Sequence, residues 1–315
     1  MAAPAAKGGQ AMGEESFNAS VYLVDRQVEA GRGDHPAIAG PAGSLTYAEL
    51  AAQVAELAAG FRALGVRPEE RVLLVATDRP ETAVTFCALL RMGAVAVPVS
   101  TMYNGMELAE LLRDCRAGVV VATPECEAVA REAAAAAPDA HTLVLTGGAG
   151  VAAGGGAAAG GAGPRVVAWA DVLAEGRRGG AAGPYDTWFD SPGFWLYTSG
   201  TTGRPKGAMH RHGSIARVCE TYAHQVLGIR ADDRCYSVAK LFFAYGLGNS
   251  LLFPLSAGAT AVLDPARAAP SGAVERLTAD RPTLFFAGPA FFSALLTSEA
   301  PVAAFSSVRL ATSAG

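Results

Sequence analysis

Apolar positions along the chain fall into two alternating rhythms. Leu50, Val54, Leu57, Phe61 and Leu64 recur at steps of four and three, behind Thr46-Tyr47-Ala48-Glu49 and ahead of Gly65, which predicts a capped amphipathic helix. Residues 71–76 (R-V-L-L-V-A) are instead a short apolar run without alternation, as expected of a strand buried on both faces. The same exchange continues down the chain. Helices are predicted over residues 80–92, 104–115, 124–137, 212–227 and 272–279, and strands over 94–99, 118–122, 142–145, 193–197, 234–239, 258–263 and 283–287. Helices alternating with unalternating strands define an α/β class, with mostly parallel sheets flanked by helices.

Two stretches break the pattern. Residues 1–16 have no apolar segment behind Lys7 and read as a disordered tail rather than a secretory signal. Residues 147–163 are glycine and alanine apart from Val151, the composition of a flexible surface insertion. Length alone suggests about two globular units, or one large one, over the remainder, 17–315. With 315 residues, 51% of them hydrophobic, the chain can bury a substantial core. The apolar stretch at 250–263 is interrupted by Pro254 and Gly258, so no membrane span is expected. A net charge of −4 without a basic cluster argues against a nucleic-acid partner. Cys87, Cys115, Cys126, Cys219 and Cys235 are scattered and never spaced as C-x-x-C, as expected of small buried hydrophobes in a cytoplasmic protein.

The chemistry concentrates directly after the strand at 193–197. Tyr197-Thr198-Ser199-Gly200-Thr201-Thr202-Gly203-Arg204-Pro205-Lys206-Gly207 combines hydroxyls, glycines and a lysine. Glycines admit backbone N–H groups close to an anion, hydroxyls add neutral donors and lysine adds a mobile cation, so the segment suits a polyphosphate. It is not a Walker A loop: Pro205 precedes Lys206 and Gly207 follows it, leaving no hydroxyl where that motif holds magnesium. The dinucleotide fingerprint G-x-G-x-x-G is absent as well.

This segment closely resembles the signature of the adenylate-forming acyl-CoA synthetases, luciferases and nonribosomal-peptide adenylation domains. T-Y-A-E-L, G-V-R-P-E-E-R-V, R-M-G-A-V-A-V-P-V and the closing R-L-A-T-S-A-G are similar to further landmarks of that family. Within it, K-L-F-F-A-Y-G-L-G-N at 240–249 resembles the aryl-CoA ligase branch, benzoate-CoA ligases in particular. The resemblance implies the large N-terminal domain of the adenylate-forming fold and an ATP-dependent acid–thiol ligase acting through an acyl-adenylate, with ATP, Mg2+ and coenzyme A as cosubstrates. It implies that Thr198, Ser199, Thr201, Thr202 and Lys206 hold the β- and γ-phosphates, with Gly200 and Gly203 permitting close approach; Lys206 and Thr198 carry the catalytic roles. Phe243, Ala244, Tyr245 and Gly246 fall on the wall of the acid pocket. His212 is placed as a structural group or an acyl contact, and no metal site is expected from it and His210. Ser313, Ala314 and Gly315 correspond to the start of a segment that passes the adenine.

The resemblance stops at Gly315, so the later family landmarks and the small C-terminal domain are expected to be missing and the chain alone is expected to make little acyl-CoA. Three alternatives stay open: a noncatalytic nucleotide- or carboxylate-binding fragment, a medium-chain acyl-CoA synthetase, and a peptide-synthetase adenylation domain. The last would carry an aspartate in 240–249, where none stands.

Overall fold

A computed structural model describes residues 16–147, 163–199 and 205–314, with the side chain of Ser199 left out. Residues 1–15 of the expected tail and the interior of the Gly/Ala insertion, 148–162, lie outside the described residues, whereas Ser16, expected in the tail, bridges to Trp188 and donates to Asp186 Oδ1 at 3.0 Å. In chain order the strands are β1 (Pro36–Ala39), β2 (Leu45–Thr46), β3 (Arg71–Val75), β4 (Val95–Pro98), β5 (Val119–Ala122), β6 (Thr142–Leu145), β7 (Arg165–Ala168), β8 (Pro192–Ser199), β9 (Pro205–Arg211), β10 (Arg234–Ser237), β11 (Thr260–Val262), β12 (Leu284–Ala287) and β13 (Leu310–Ser313). They form two sheets among the described residues, ordered β7-β6-β5-β3-β4-β8-β9 and β13-β12-β10-β11-β1-β2. Each is parallel except at one edge, where β8–β9 and β1–β2 pair antiparallel.

The absence of alternation in the central strands has a direct cause. Val72, Leu74, Val119 and Val121 join a core with α1 (Tyr47–Ala63) and α2 (Pro80–Arg91), while Leu73, Val75, Val120 and Ala122 point the other way. That second face is covered by α3 (Gly105–Cys115) and α4 (Glu127–Ala136). Both faces are apolar because both are covered. The core around α1 and α2 also takes in Ile38, Cys235, Leu284 and Phe286 of the second sheet, so the two sheets share one interior; Tyr236, Val262, Phe285 and Leu277 form a separate outer cluster. All five cysteines are free and buried in these cores.

Helix starts follow the sequence closely. Thr46 Oγ1 accepts the Glu49 N–H and Glu49 Oε2 accepts the Thr46 N–H at 2.8 Å, the reciprocal cap its spacing predicts; Asn104 and Glu107 repeat it at α3. Differences fall where period and glycine content mislead. Residues 258–263 contribute only the three-residue β11, because helical turns run up to a left-handed cap at Gly258. The strand foreseen at 193–197 extends to Ser199, and β9 follows it. Short β1, β2 and β7, and α5 (Trp169–Gly179), have no counterpart among the predicted elements. No helix of the described residues is long and apolar enough to cross a membrane.

Candidate active site

Parallel α/β sheets present ligands at the carboxyl ends of their strands. Because β8 runs parallel to β4, the carboxyl end of β8 lies on the same edge as the carboxyl end of β3. The β8–β9 register sets Thr198 opposite Lys206 and Ser199 opposite Pro205. Thr198 and Lys206 are both exposed, on the face that also carries the Leu196–Ala208 and Phe194–His210 pairs. His210 stacks on Phe194 with ring centroids 4.6 Å apart, and burial lowers its pKa. A Thr hydroxyl beside an ammonium at a sheet's carboxyl edge is a pairing suited to phosphate oxygens. Gly200, Thr201, Thr202, Gly203 and Gly315 lie outside the described residues, as does the Ser199 side chain.

The second sheet brings its own carboxyl edge to the same place. Asp78, just beyond β3, is fully buried and accepts the Leu241 N–H at 3.1 Å, just beyond β10. Lys240 Nζ donates to the Asp264 carbonyl at 2.6 Å, beyond β11. Burial pushes the Asp78 carboxyl up to about 7, with the Lys240 charge and the Leu241 N–H opposing. The turn so held leads into α7 (Ala244–Leu247). Phe243 is 48% exposed and lies against Phe242, Ala244 is exposed, and Tyr245 is half-buried. The Tyr245 hydroxyl lies 2.9 Å from Thr312 Oγ1, which joins this segment to the end of β13 and so to exposed Ser313 and Ala314. Gly246 is buried with no room for a side chain: a Cβ would stand 2.0 Å from the Lys240 carbonyl oxygen and 2.4 Å from that of Ala239.

His212, the first residue of α6 (His212–Val218), is fully buried, and its Nδ1 accepts the Ala19 N–H at 3.0 Å. That bond assigns the proton of the neutral ring to Nε2. Burial, opposed in part by the Pro192 backbone, pushes its pKa down to about 4. The ring therefore ties the N-terminal helical turn to α6. A cavity of about 670 Å3 lined by Phe189, Asp190, Arg211 and Ser214 sits at the other end of the hairpin from Thr198 and Lys206. Among the described residues no group of three or more His, Cys, Asp or Glu could hold a metal ion.

Two long-range contacts carry no sequence signal: Asp78 to the Leu241 N–H, and Asp114, whose Oδ2 accepts the Tyr197 Oη–H at 2.6 Å. Asp78 stands in a T-D-R-P turn that reads as an ordinary helix start, and Asp114 occupies a polar position of an amphipathic helix; neither pattern marks a long-range contact.

The profile of the AMP-binding enzyme family matches residues 24–315, and the chain belongs to that family. Among curated relatives, the benzoate–CoA ligase of Thauera aromatica is 36% identical over 303 residues, covering 96% of this chain and 54% of that protein. The 4-hydroxybenzoate–CoA/benzoate–CoA ligase of Rhodopseudomonas palustris is 39% identical over 280 residues, 89% of this chain and 49% of that protein. The solved benzoate CoA ligase of Burkholderia xenovorans superposes with a TM-score of 0.81 at 33% identity, covering 95% of this chain and 56% of that one. The chain thus spans about half the length of the relatives it matches, and its two sheets flanked by helices have the architecture of the N-terminal part of these enzymes.

Proposed function

We propose that this chain provides the nucleotide- and acid-binding part of an ATP-dependent aromatic acid–CoA ligase. The observation that supports this reading most directly is the register that sets Thr198 opposite Lys206 at the carboxyl edge, in a motif of hydroxyls and glycines. In the reaction a carboxylate oxygen attacks the α-phosphorus of ATP, the bond to the bridging oxygen breaks, and pyrophosphate leaves; the coenzyme A thiol then displaces AMP from the acyl carbon. Both first-step reactants are anions, so neutralisation and alignment supply most of the acceleration. Lys206 and Thr198 meet the β- and γ-phosphates, with Ser199, Thr201 and Thr202 adding hydroxyl donors and Gly200 and Gly203 leaving room for them. Magnesium is part of the nucleotide substrate here, and no step is assigned to a metal held by the described residues.

The acid lies against Phe243, Ala244 and Tyr245. A small alanine between two aromatic residues leaves a slot for a flat ring, whose burial contributes about 25 cal/mol per Å2. Gly246 acts behind this wall by letting α7 pack on the Lys240 and Ala239 carbonyls, and His212 acts as a structural tie. Ser313 and Ala314 border the adenine. The aromatic names of the relatives, benzoate and hydroxybenzoate, favour the aryl reading over a medium-chain one. The test is acid-dependent exchange of labelled pyrophosphate into ATP by the full-length protein, across benzoate, 4-hydroxybenzoate and octanoate. Exchange is expected with the aromatic acids. Exchange driven by octanoate alone would move the protein to the medium-chain group, and no exchange with any acid would defeat the adenylation reading.

A further inference from the structure

We propose that Asp114, through its hydrogen bond to Tyr197, is a positioning residue for the nucleotide-binding hairpin. This rests on the reading above and extends it to a residue outside the motif. Tyr197 Oη donates to Asp114 Oδ2 at 2.6 Å, the length of a charge-assisted bond. Asp114 belongs to the last turn of α3, whose Leu111, Leu112 and Cys115 are buried against the central strands, so the carboxylate is carried on a fixed support.

The hairpin needs such a support. Among the described residues β9 is the edge of its sheet and pairs only with β8, so its orientation depends on β8 and on side-chain contacts. Consecutive strand residues point to opposite faces. Drawing Tyr197 toward α3 therefore turns Thr198, and Lys206 across from it, to the other face. Gly207 stands directly opposite Tyr197. A Cβ there would lie 3.1 Å from Trp195 Cε3 and 3.5 Å from Tyr197 Cζ, so the bare glycine leaves space for both rings over the partner strand. Burial together with the Asp114 bond raises the Tyr197 pKa, which keeps the phenol a proton donor through the neutral range.

The experiment is a double-mutant cycle read as ATP affinity, by titrating the full-length protein with ATP, with benzoate affinity and thermal melting measured alongside. Asp114→Ala and Tyr197→Phe are each expected to weaken ATP about fivefold, the scale of one net hydrogen bond, while benzoate affinity and melting temperature hold. The double variant should be no weaker than either single one, and Asp114→Asn, which keeps an acceptor, should recover most of the loss. Unchanged ATP affinity in both single variants, losses that multiply in the double variant, or equal loss of ATP and benzoate affinity would each overturn the tether. Should Asp114→Ala melt early, Tyr197→Phe alone decides. A wild-type protein without ATP affinity sinks the nucleotide reading and the tether together, whereas wild-type binding with indifferent variants sinks the tether only.

Discussion

The two halves of the candidate site are built in opposite ways. The β8–β9 hairpin stands at a sheet edge with Lys206, Ala208 and Met209 exposed, and its described long-range polar tie near Thr198 and Lys206 is the Tyr197–Asp114 bond. The turn ahead of α7 is instead fastened from all sides: Val238 N–H to the Phe286 carbonyl, Ala239 N–H to Ser237 Oγ, Leu241 N–H to Asp78, Lys240 Nζ to the Asp264 carbonyl, and Gly246 pressed on the Lys240 carbonyl. A triphosphate is large and charged and is met by mobile side chains, so its binding tolerates an exposed scaffold. A flat apolar ring is recognised by shape, and shape requires a wall that does not give.

The contrast predicts that substitutions in the turn cost stability while those in the hairpin cost function. Gly246→Ala should have the largest effect. Its methyl would stand 2.0 Å from a backbone oxygen that cannot swing aside, so the loss is expected to be about 4 kcal/mol or more in urea-midpoint measurements. A drop under 1 kcal/mol would show that the turn yields after all. His212→Ala comes next, at about 3 kcal/mol, because it opens a cavity and orphans the Ala19 N–H. Its acid behaviour has a definite sign. The unfolded chain takes up the imidazole proton near pH 6.5 and the folded one only near 4, so His212 withdraws stability as pH falls through that window. His212→Ala should flatten this slope.

Asp78 acts with the reverse sign. Its folded pKa of about 7 lies above the ordinary aspartate value of 3.8, so between those pH values the native state holds a proton that the unfolded chain has released. Stability therefore falls as pH rises through the window, and the cost is complete above pH 7. Asp78→Asn keeps an oxygen for the Leu241 N–H and removes the charge. Stability at pH 8 is expected to rise by about 1–2 kcal/mol, with little change at pH 4. Equal shifts at both pH values would show that packing rather than ionisation sets the cost.

Much of this architecture was legible in sequence, for identifiable reasons. Unalternating runs such as Val72–Leu73–Leu74–Val75 announced strands covered on both faces, and Thr46-x-x-Glu49 announced the start of α1. The motif pointed to phosphate chemistry, yet its glycines and Pro205 masked the period-two signal, so residues 205–211 did not read as a strand and the facing of Thr198 and Lys206 follows only from the register. The proposed acid-binding role of the segment around Tyr245 was legible only by family resemblance. Its supports were not, since Asp78 lies 163 residues from Leu241 and Thr312 lies 67 from Tyr245, and no local pattern encodes such pairings.

Lys206→Ala gives the smallest expected change in stability and separates the two halves most sharply. The ammonium is exposed on an edge strand, so the substitution should move the urea midpoint by less than about 0.5 kcal/mol. On the proposed reading Lys206 faces the phosphates and the acid rests on the turn after β10, so the substitution should slow acid-dependent pyrophosphate exchange far more than it weakens benzoate binding. Equal losses for benzoate and for exchange would mean that the two regions act as one rigid surface, and the division between a fixed acid wall and an exposed nucleotide hairpin would have to be abandoned.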